Sequence, residues 1–401
     1  MRSLFLLGLM LATLVAGPGA AVGQAQAPGA AESCPRPGVS WTATEANVWQ
    51  QVCAGRTAEV SPPNTRLEPP QAGQPLPAYV LSAAFLQQIL SEPPYRDAVR
   101  SVRIAGALVT GLLDLNKRQV PMGVVFERSH FLDGITVDEA QVAGEFSCIQ
   151  CSSPRNLVVR RTVINGRLNV SGTALEGPLD LGAAIINGDL LASGGKFAAV
   201  VGRGMQVRGT LDLDGVTSPE YVLGAVQIGG DARMRIEGAE TRIVHLAGAR
   251  VTGDLGLAPR TPLPANARID LSGTRVGALT PPAVWPAGTE ARDLVVDRVS
   301  PTVATWILER LNRATRADVD SYRQLSAAAT AAGNSELARQ IDRTLRQRQR
   351  AEATASERFW MTVEDLGWFA YAAVIAVVGA ILWLGIARWR RNETEKAAHG
   401  L

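Results

Sequence analysis

The chain has 401 residues, with 40 Lys or Arg against 37 Asp or Glu, so its formal net charge is +3. This balance excludes a dedicated nucleic-acid binder, which would carry a strongly basic face. Hydrophobic residues make up 46% of the chain and charged residues 19%, which excludes an intrinsically disordered protein. Aromatic residues reach only 5% while glycine numbers 39, a combination that favours a repetitive backbone over a conventional enzyme core. Because the chain has 3 histidines, we expect neither a bound metal nor another cofactor.

The N-terminus predicts an export signal. Arg2 precedes a run of apolar residues over 4–15, and small residues follow this run. Ala25-Gln-Ala27 fits the A-x-A pattern of a signal-peptidase site. Because the apolar run is too short to span a bilayer, we predict that 1–27 is a cleaved secretory signal peptide.

The C-terminal region predicts one membrane-spanning helix over 364–388. Its apolar centre carries no charged side chain and is long enough to cross the hydrocarbon core. Glu364 and Asp365 precede this centre and three arginines follow it, so the positive-inside rule places the C-terminus in the cytoplasm. We therefore predict a single-pass protein of the inner (plasma) membrane, with a cytoplasmic tail over 389–401 and its bulk in the periplasm.

A short pattern repeats through the middle of the chain. It consists of a β-branched residue, any residue, a glycine, any residue, and then apolar residues at alternate positions. Its glycines are Gly111, Gly144, Gly166, Gly188, Gly209, Gly230 and Gly253. After a longer first step, the glycines recur about every 22 residues, and a period of this length is typical of solenoids. The alternation of apolar residues within each copy indicates a strand.

These repeats predict a mainly β fold, a parallel β-helix over 104–300 with about eight coils. The first copy places Val109 and Leu113 at the head of two inward columns. We expect the strands of each turn to be separated by Gly-containing corners, where glycine tolerates a positive φ. Residues 28–103 hold a Pro-rich linker and a capping helix whose N-cap is Ser82. Residues 301–359 predict a helical hairpin that breaks at Gly333-Asn334.

Three segments carry a resemblance to a known family. The sequence IAGALVTGLLDL over 104–115 and the turn over 224–230 resemble bacterial pentapeptide-repeat proteins and related right-handed β-helix proteins. The segment over 322–341 resembles the helical hairpin that joins such solenoids to membrane segments. Because Ala-Asp-Leu or Ala-Asn-Leu does not recur at every fifth residue, the likeness is to a divergent relative. It implies a right-handed solenoid in a bacterial envelope protein; the pore of some relatives is not implied, since one predicted span follows.

The four cysteines fall into two pairs. Cys34 and Cys53 lie in a segment predicted to be exported, where we expect a structural disulfide. Cys148 and Cys151 form a C-x-x-C at the end of a predicted strand, whereas redox enzymes place this motif at the start of a helix. We interpret this second pair as a structural corner bridge or as buried thiols.

Outward positions of the repeated strand form a charged ladder. Its residues are Arg167, Asp189, Asp231 and Asp254 in one column and Asp212 and Arg233 in the next. Stacked Asp231 and Asp254 would repel each other and could share a proton or a cation. Carbohydrate-cleaving β-helices use such carboxylates, but no tryptophan lies in 104–280 to stack on a sugar ring. We interpret the ladder as a solvated interaction surface.

The leading hypothesis for function is a non-enzymatic, membrane-anchored envelope protein. Its rigid solenoid would serve as a scaffold or interaction module for a partner protein or a second copy of the chain. One alternative is a protein that binds or cleaves an envelope polysaccharide through the ladder aspartates. Another is a regulatory subunit of a membrane or channel complex, with 301–365 relaying to the span. The second helix of the hairpin is basic and could touch anionic lipid or a cell-surface polymer, but we favour a solvated face.

Overall fold

The structure, a computed structural model, describes residues 34–65, 67, 77–313, 318–352 and 375–388. The predicted signal peptide over 1–27 and the predicted tail over 389–401 lie outside the described residues. Residues 364–374 of the predicted span over 364–388 also lie outside them.

The body of the protein is a parallel β-solenoid, which confirms the predicted fold class. Its strands form three sheets of 17, 9 and 5 strands, which we name the long, middle and short sheets. Every pairing between these strands is parallel, and each strand pairs with the equivalent strand of the next turn. The nine strands of the middle sheet indicate about nine turns, against the predicted eight.

The three sheets divide each turn into short strands. The long sheet contains Ala58–Glu59, Ser101–Ala105, Gln119–Val120, Gly123–Glu127, Gln141–Val142, Phe146–Ile149, Val163–Ile164, Leu168–Asn169, Ile185–Ile186, Leu190–Leu191, Gln206–Val207, Leu211–Asp212, Gln227–Ile228, Ala232–Arg233, Arg250–Gly256, Arg275–Thr280 and Val295–Arg298. The middle sheet contains Leu113–Asp114, Ile135–Thr136, Leu157–Val158, Leu179–Asp180, Val200–Val201, Glu220–Val222, Ile243–His245, Arg268–Asp270 and Gly288–Glu290. The short sheet contains Val80–Ser82, Leu108–Thr110, His130–Phe131, Ser152–Ser153 and Ala174–Leu175.

Two inward columns of apolar side chains form the core beneath the long sheet. One column is Val142, Ile164, Ile186, Val207, Ile228 and Val251, and the other is Phe146, Leu168, Leu190, Leu211, Ala232 and Leu255. All twelve residues are buried. The alternation in the sequence therefore predicted which side chains point inward over these six turns.

The first copy of the repeat belongs elsewhere, and its predicted placement was wrong. Val109 pairs with Phe131 in the short sheet, and Leu113 pairs with Ile135 in the middle sheet. In the turn before Val142, the equivalent inward position is occupied by Val120, not by Val109. The first glycine step is about one and a half turns long, so the same letter pattern falls on a different side of the solenoid.

Of the seven repeat glycines, Gly111 has a positive φ, whereas the six from Gly144 onward mark a close approach of backbones. Gly144, Gly166, Gly188, Gly209, Gly230 and Gly253 form a column in which each N–H from Gly166 onward donates to the carbonyl of the previous glycine at 2.9–3.1 Å. None of these six has a positive φ. A Cβ atom on Gly188 would lie 2.9 Å from the carbonyl carbon of Gly166, which is closer than Cβ atoms come to other atoms. Glycine is needed here because two backbones meet.

Positive-φ corners follow the long sheet in six turns. A second positive-φ corner follows the middle sheet. Its residues are Lys117, Glu139, Arg161, Ala183, Gly204, Ala225, Gly248, Gly273 and Asp293, one in each turn. Six of these nine carry a side chain in the left-handed region, which L-residues other than Gly, Asn and Asp seldom enter. The stack around each corner holds that conformation.

Two helices cover the N-terminal end of the stack. Helix α1 spans Ala43–Cys53 and helix α2 spans Ala83–Ser91, with Ser82 as its N-cap as predicted. The buried Glu45 carboxylate accepts hydrogen bonds from the Ser82 N–H at 2.9 Å and from its hydroxyl at 2.6 Å, which ties α1 to α2. Trp41 packs edge-on against Phe85, with ring centroids 4.8 Å apart. Helix α1 was not predicted from the sequence.

Three helices follow the last turn, which confirms a helical region after the solenoid. Helix α3 spans Pro301–Arg313, α4 spans Val319–Ala331 and α5 spans Ser335–Glu352. Gly333 has a φ of 77° and lies between α4 and α5, where the break was predicted. Trp306 of α3 stacks on Trp285 of the solenoid, with ring centroids 4.0 Å apart.

Residues 375–388 form a further helix whose apolar side chains are exposed. Eight large side chains are between 50 and 69% exposed: Ile375, Val377, Val378, Ile381, Leu382, Trp383, Leu384 and Ile386. Within the described ranges, no helix combines the length and apolar character needed to cross a bilayer.

Candidate functional site

The predicted ladder lies on the outer face of the long sheet. Asp212 and Arg233 are paired neighbours in adjacent turns, as predicted. Arg167, Asp189, Asp231 and Asp254 each directly precede an inward residue of the second column, so they share one outward column. The ladder is thus a continuous surface feature over five turns rather than a convergent pocket.

Hydrogen bonds and ion pairs within the stack engage the ladder carboxylates. Asp189 Oδ1 accepts the N–H of Thr210 at 2.8 Å, and Asp231 Oδ1 accepts the N–H of Asp254 at 3.0 Å. Arg298 lies 2.7 Å from the Asp254 carboxylate. These partners offset the repulsion between Asp231 and Asp254, so their stacking requires neither a shared proton nor a cation.

Arg167 and Arg233 complete this pattern of neighbouring opposite charges. The Arg167 guanidinium donates to Glu145 of the previous turn at 2.8 Å. Arg233 lies 3.8 Å from Asp231. Exposed pairs of this kind contribute little to stability, but they leave the face with alternating charge.

A stronger ion cluster lies beside the ladder at Asp214. Arg235 donates to its carboxylate at 2.7 Å, and Arg260 from a more distant part of the chain approaches it at 3.1 Å. The hydrogen bonds from Arg235 and then Arg260 lower the pKa of Asp214 to about 2. A carboxylate held ionised in this way is a poor general acid or base near neutral pH.

A groove of about 670 Å³ runs along the outer face of the short sheet. One wall is the column His130, Ser152, Ala174 and Lys196, and the other is Leu132, Pro154, Glu176 and Ala198. Neighbouring turns lie about 4.8 Å apart, so the groove follows the solenoid axis. It combines an apolar wall with separated charges, which suits an extended, mixed-polarity ligand.

His130 is the titratable group at the N-terminal end of this groove. Its Nδ1 lies 2.7 Å from the hydroxyl oxygen of Ser152. Burial lowers the pKa of His130 and the nearby Glu176 raises it, with burial the larger effect. The imidazole is therefore neutral at neutral pH and can form a hydrogen bond with the serine hydroxyl.

This His–Ser contact does not form a hydrolytic centre with the backbone around it. An acyl-transfer site needs free N–H groups for the oxyanion. The N–H groups of His130, Ser152 and Ala174 all donate to carbonyls of the preceding turn at 2.8–2.9 Å. These three N–H groups are therefore not free to bind an oxyanion.

The groove residues were missed in the sequence analysis although a signal was present. His130, Ser152 and Lys196 recur at the repeat period or twice that period. Because they differ in chemical type, they do not form a visible repeat in the sequence. Only the three-dimensional stack shows that they share one column.

A second cleft, of about 610 Å³, separates the last turn from helices α3 and α4. Its apolar residues include Leu294, Trp306 and Leu325, and its polar residues include Arg292 and Gln324. Arg310 lies 4.9 Å from the centre of the Trp306 ring and donates to the carbonyl of Thr289. Arg310 thus connects helix α3 to the last turn of the solenoid across this cleft.

The cysteines are not among the residues that line the groove or the cleft. Cys148 and Cys151 are joined by a disulfide with their Cα atoms 5.5 Å apart, and both are buried. Cys34 and Cys53 are also disulfide-bonded. In the described part of the chain, no cysteine is a free thiol and no group of acidic, histidine or cysteine side chains has the arrangement of a metal site.

Comparisons with known proteins add no relative. No protein-family model, no curated protein and no solved structure matches the chain.

Proposed function

We propose that this protein is a non-enzymatic, membrane-anchored scaffold of the bacterial envelope and a divergent relative of the pentapeptide-repeat and right-handed β-helix proteins. Its solenoid holds a partner protein outside the cytoplasm. Its apolar C-terminal helix, part of the span predicted over 364–388, holds it in the inner membrane.

The observation that carries this proposal is the difference between the ladder and the groove. The ladder carboxylates have hydrogen-bond or ion-pair partners within the stack, so little of that face is left to act on a ligand. The groove instead presents an apolar wall next to Glu176 and Lys196. A rigid, elongated groove with separated charges fits a segment of a partner protein.

The exposed apolar side chains over 375–388 support the anchor. Exposed apolar patches of this size are rare on soluble proteins unless a partner or a membrane covers them. Residues 375–387 belong to a longer stretch without charges, and Arg388, Arg390 and Arg391 follow that stretch. A bilayer covers all sides of a helix at once, which suits side chains that are exposed all around it.

The cleft beside α3 and α4 favours a second candidate, a regulatory subunit of a membrane complex. A partner bound there would contact both the solenoid and the helices that lead to the apolar helix. This function uses the same anchor but a different surface. The position at which a partner binds therefore distinguishes the two candidate functions.

Photo-cross-linking in living cells tests the proposal. A photoreactive amino acid is placed at Ala198 in the groove, at Gln324 in the cleft, or at Thr252 on the ladder face as a matched control. All three positions are exposed. We expect one discrete protein adduct from Ala198 and none from Thr252, after alkaline extraction has shown that the full chain stays in the membrane.

Other outcomes contradict the proposal in distinct ways. An adduct from Gln324 alone would favour the regulatory subunit. The absence of adducts at all three positions, together with turnover of an envelope glycan by the purified chain, would favour the carbohydrate-active alternative. Release of the chain by alkaline extraction would exclude the anchor.

A further inference from the structure

Helix α5 carries a stripe of arginines on one side. Arg339, Arg343 and Arg346 are exposed and follow a spacing of four and then three residues. At about 100° per residue, this spacing places the three side chains within roughly 60° of each other around the helix. We name these three residues the arginine stripe.

The packing of α5 fixes the direction of this stripe. Leu337, Ile341 and Leu345 are buried on the side of the helix roughly opposite to the arginines. Arg348 donates to the carbonyl of Leu311 in α3 and lies 3.0 Å from Glu352. Because these contacts hold α5 on two sides, the helix cannot rotate about its axis to bury the arginine stripe.

The stripe keeps an excess of positive charge. Arg339 forms an ion pair with Glu336 at 2.6 Å, with both side chains more than 60% exposed. Arg343 and Arg346 add two further charges on the same side, and Asp342 lies between the stripe and the packing face. Guanidinium groups bind phosphate oxygens through paired hydrogen bonds, so a row of them matches a phosphate-rich surface.

We propose that the arginine stripe docks on anionic phospholipid headgroups of the membrane that holds the apolar helix. The inference rests on the proposed anchor. Glu352, the last residue of α5, precedes Ile375 of the apolar helix by 23 residues in the sequence. A tether of this kind raises the local concentration of headgroups at the stripe, which suits weak, additive phosphate contacts.

Docking would orient the solenoid. An anchor alone leaves the body free to tilt over the membrane, whereas a second contact through α5 removes much of that freedom. Each arginine near an anionic surface contributes roughly a fivefold factor, so the stripe contributes about a hundredfold. The effect falls with ionic strength because surface charges are screened.

The experiment uses the full chain with vesicles and a probe beside the stripe. A fluorophore is attached through Gln347→Cys, an exposed position on α5, and the four native cysteines are protected as disulfides. The chain is mixed with vesicles of phosphatidylcholine alone or with phosphatidylglycerol added, each containing nitroxide-labelled lipid. Flotation reports vesicle binding, and quenching reports contact of α5 with the membrane.

We expect flotation with both vesicle types but strong quenching only with phosphatidylglycerol. The triple variant Arg339→Gln, Arg343→Gln and Arg346→Gln should lower the ratio of docked to undocked chain by about a hundredfold. The matched control replaces three exposed solenoid arginines, Arg250→Gln, Arg268→Gln and Arg275→Gln, which changes the net charge equally and should leave quenching unchanged.

The outcomes separate this inference from the anchor. Flotation with both vesicle types but equal quenching in both would overturn the stripe and leave the anchor standing. Flotation only with phosphatidylglycerol, lost in the stripe variant, would support the stripe and exclude the anchor. Loss of quenching in the solenoid variant as well would show a net-charge effect and overturn the inference.

Discussion

Two of the columns of tight turns along the solenoid place different demands on the sequence. In the column from Gly144 to Gly253, adjacent backbones hydrogen-bond directly and a side chain would collide with the turn before it. In the column from Lys117 to Asp293, φ is positive but the side chain has room, and residues as different as Lys and Ala occur. Close approach therefore imposes one residue type, whereas an unfavourable φ only adds an energetic cost.

The largest expected effect comes from adding one methyl group to the glycine column. Gly188→Ala places a Cβ 2.9 Å from the backbone of Gly166, and backbone cannot move aside as a flexible side chain can. We expect a loss of about 1–3 kcal/mol in the free energy of unfolding, as for other overpacked sites. Urea unfolding followed by circular dichroism measures this loss; an unchanged midpoint would contradict the close approach.

A smaller effect is expected at the ion cluster of Asp214, as a function of pH. Its folded pKa of about 2 lies below the ordinary value of 3.8. The stabilisation is present above the ordinary value and is lost as the pH falls towards 2, because the unfolded chain takes up the proton first. We expect a contribution of about 1 kcal/mol after screening by solvent.

The variant Asp214→Asn tests this dependence. Its stability should change less than that of the wild-type chain as the pH falls from 4 to 2. The control Asp189→Asn removes a carboxylate that accepts a backbone N–H rather than arginine hydrogen bonds. Parallel acid titrations of Asp214→Asn and the wild-type chain would contradict the role of Arg235 and Arg260.

The smallest effect is expected from the same methyl group in the positive-φ column. Gly204 has a φ of 65°, and no atom lies within 4 Å of the place where its Cβ would be. Ala183 and Ala225 already occupy the equivalent positions in the turns before and after it. Gly204→Ala should therefore cost less than about 1 kcal/mol in unfolding free energy. A cost equal to that of Gly188→Ala would remove the distinction between the columns.

The glycine column explains how much of the fold could be predicted from the sequence. A position that accepts one residue type repeats visibly, so the period and the inward columns from Val142 onward could be predicted. The positive-φ column accepts many residue types and leaves no repeated letter. The half-turn displacement of Gly111 could not be predicted either, because the same local pattern fits two sides of the solenoid.

The surfaces were harder to predict than the core. The ladder was placed correctly because it adjoins the inward columns, but its hydrogen bonds from Thr210 and Asp254 depend on backbone groups that a sequence does not display. The groove needed the stacking of His130 on Ser152 to be known. Helix α1 did carry a readable signal, since Thr42 and Glu45 form a capping box, with hydrogen bonds of 3.2 and 2.8 Å.

Cysteine pairs test the order of the stack most directly, because every surface described above depends on it. Gln119 and Gln141 are exposed partners in adjacent turns of the long sheet, at a spacing that a disulfide can bridge. Thr110 and Ala143 would be neighbours if the first repeat copy headed the same column, but Thr110 pairs with Ser82 in the short sheet. Oxidation followed by peptide mass spectrometry should find a disulfide in Gln119→Cys/Gln141→Cys and none in Thr110→Cys/Ala143→Cys. The reverse result would contradict the stack.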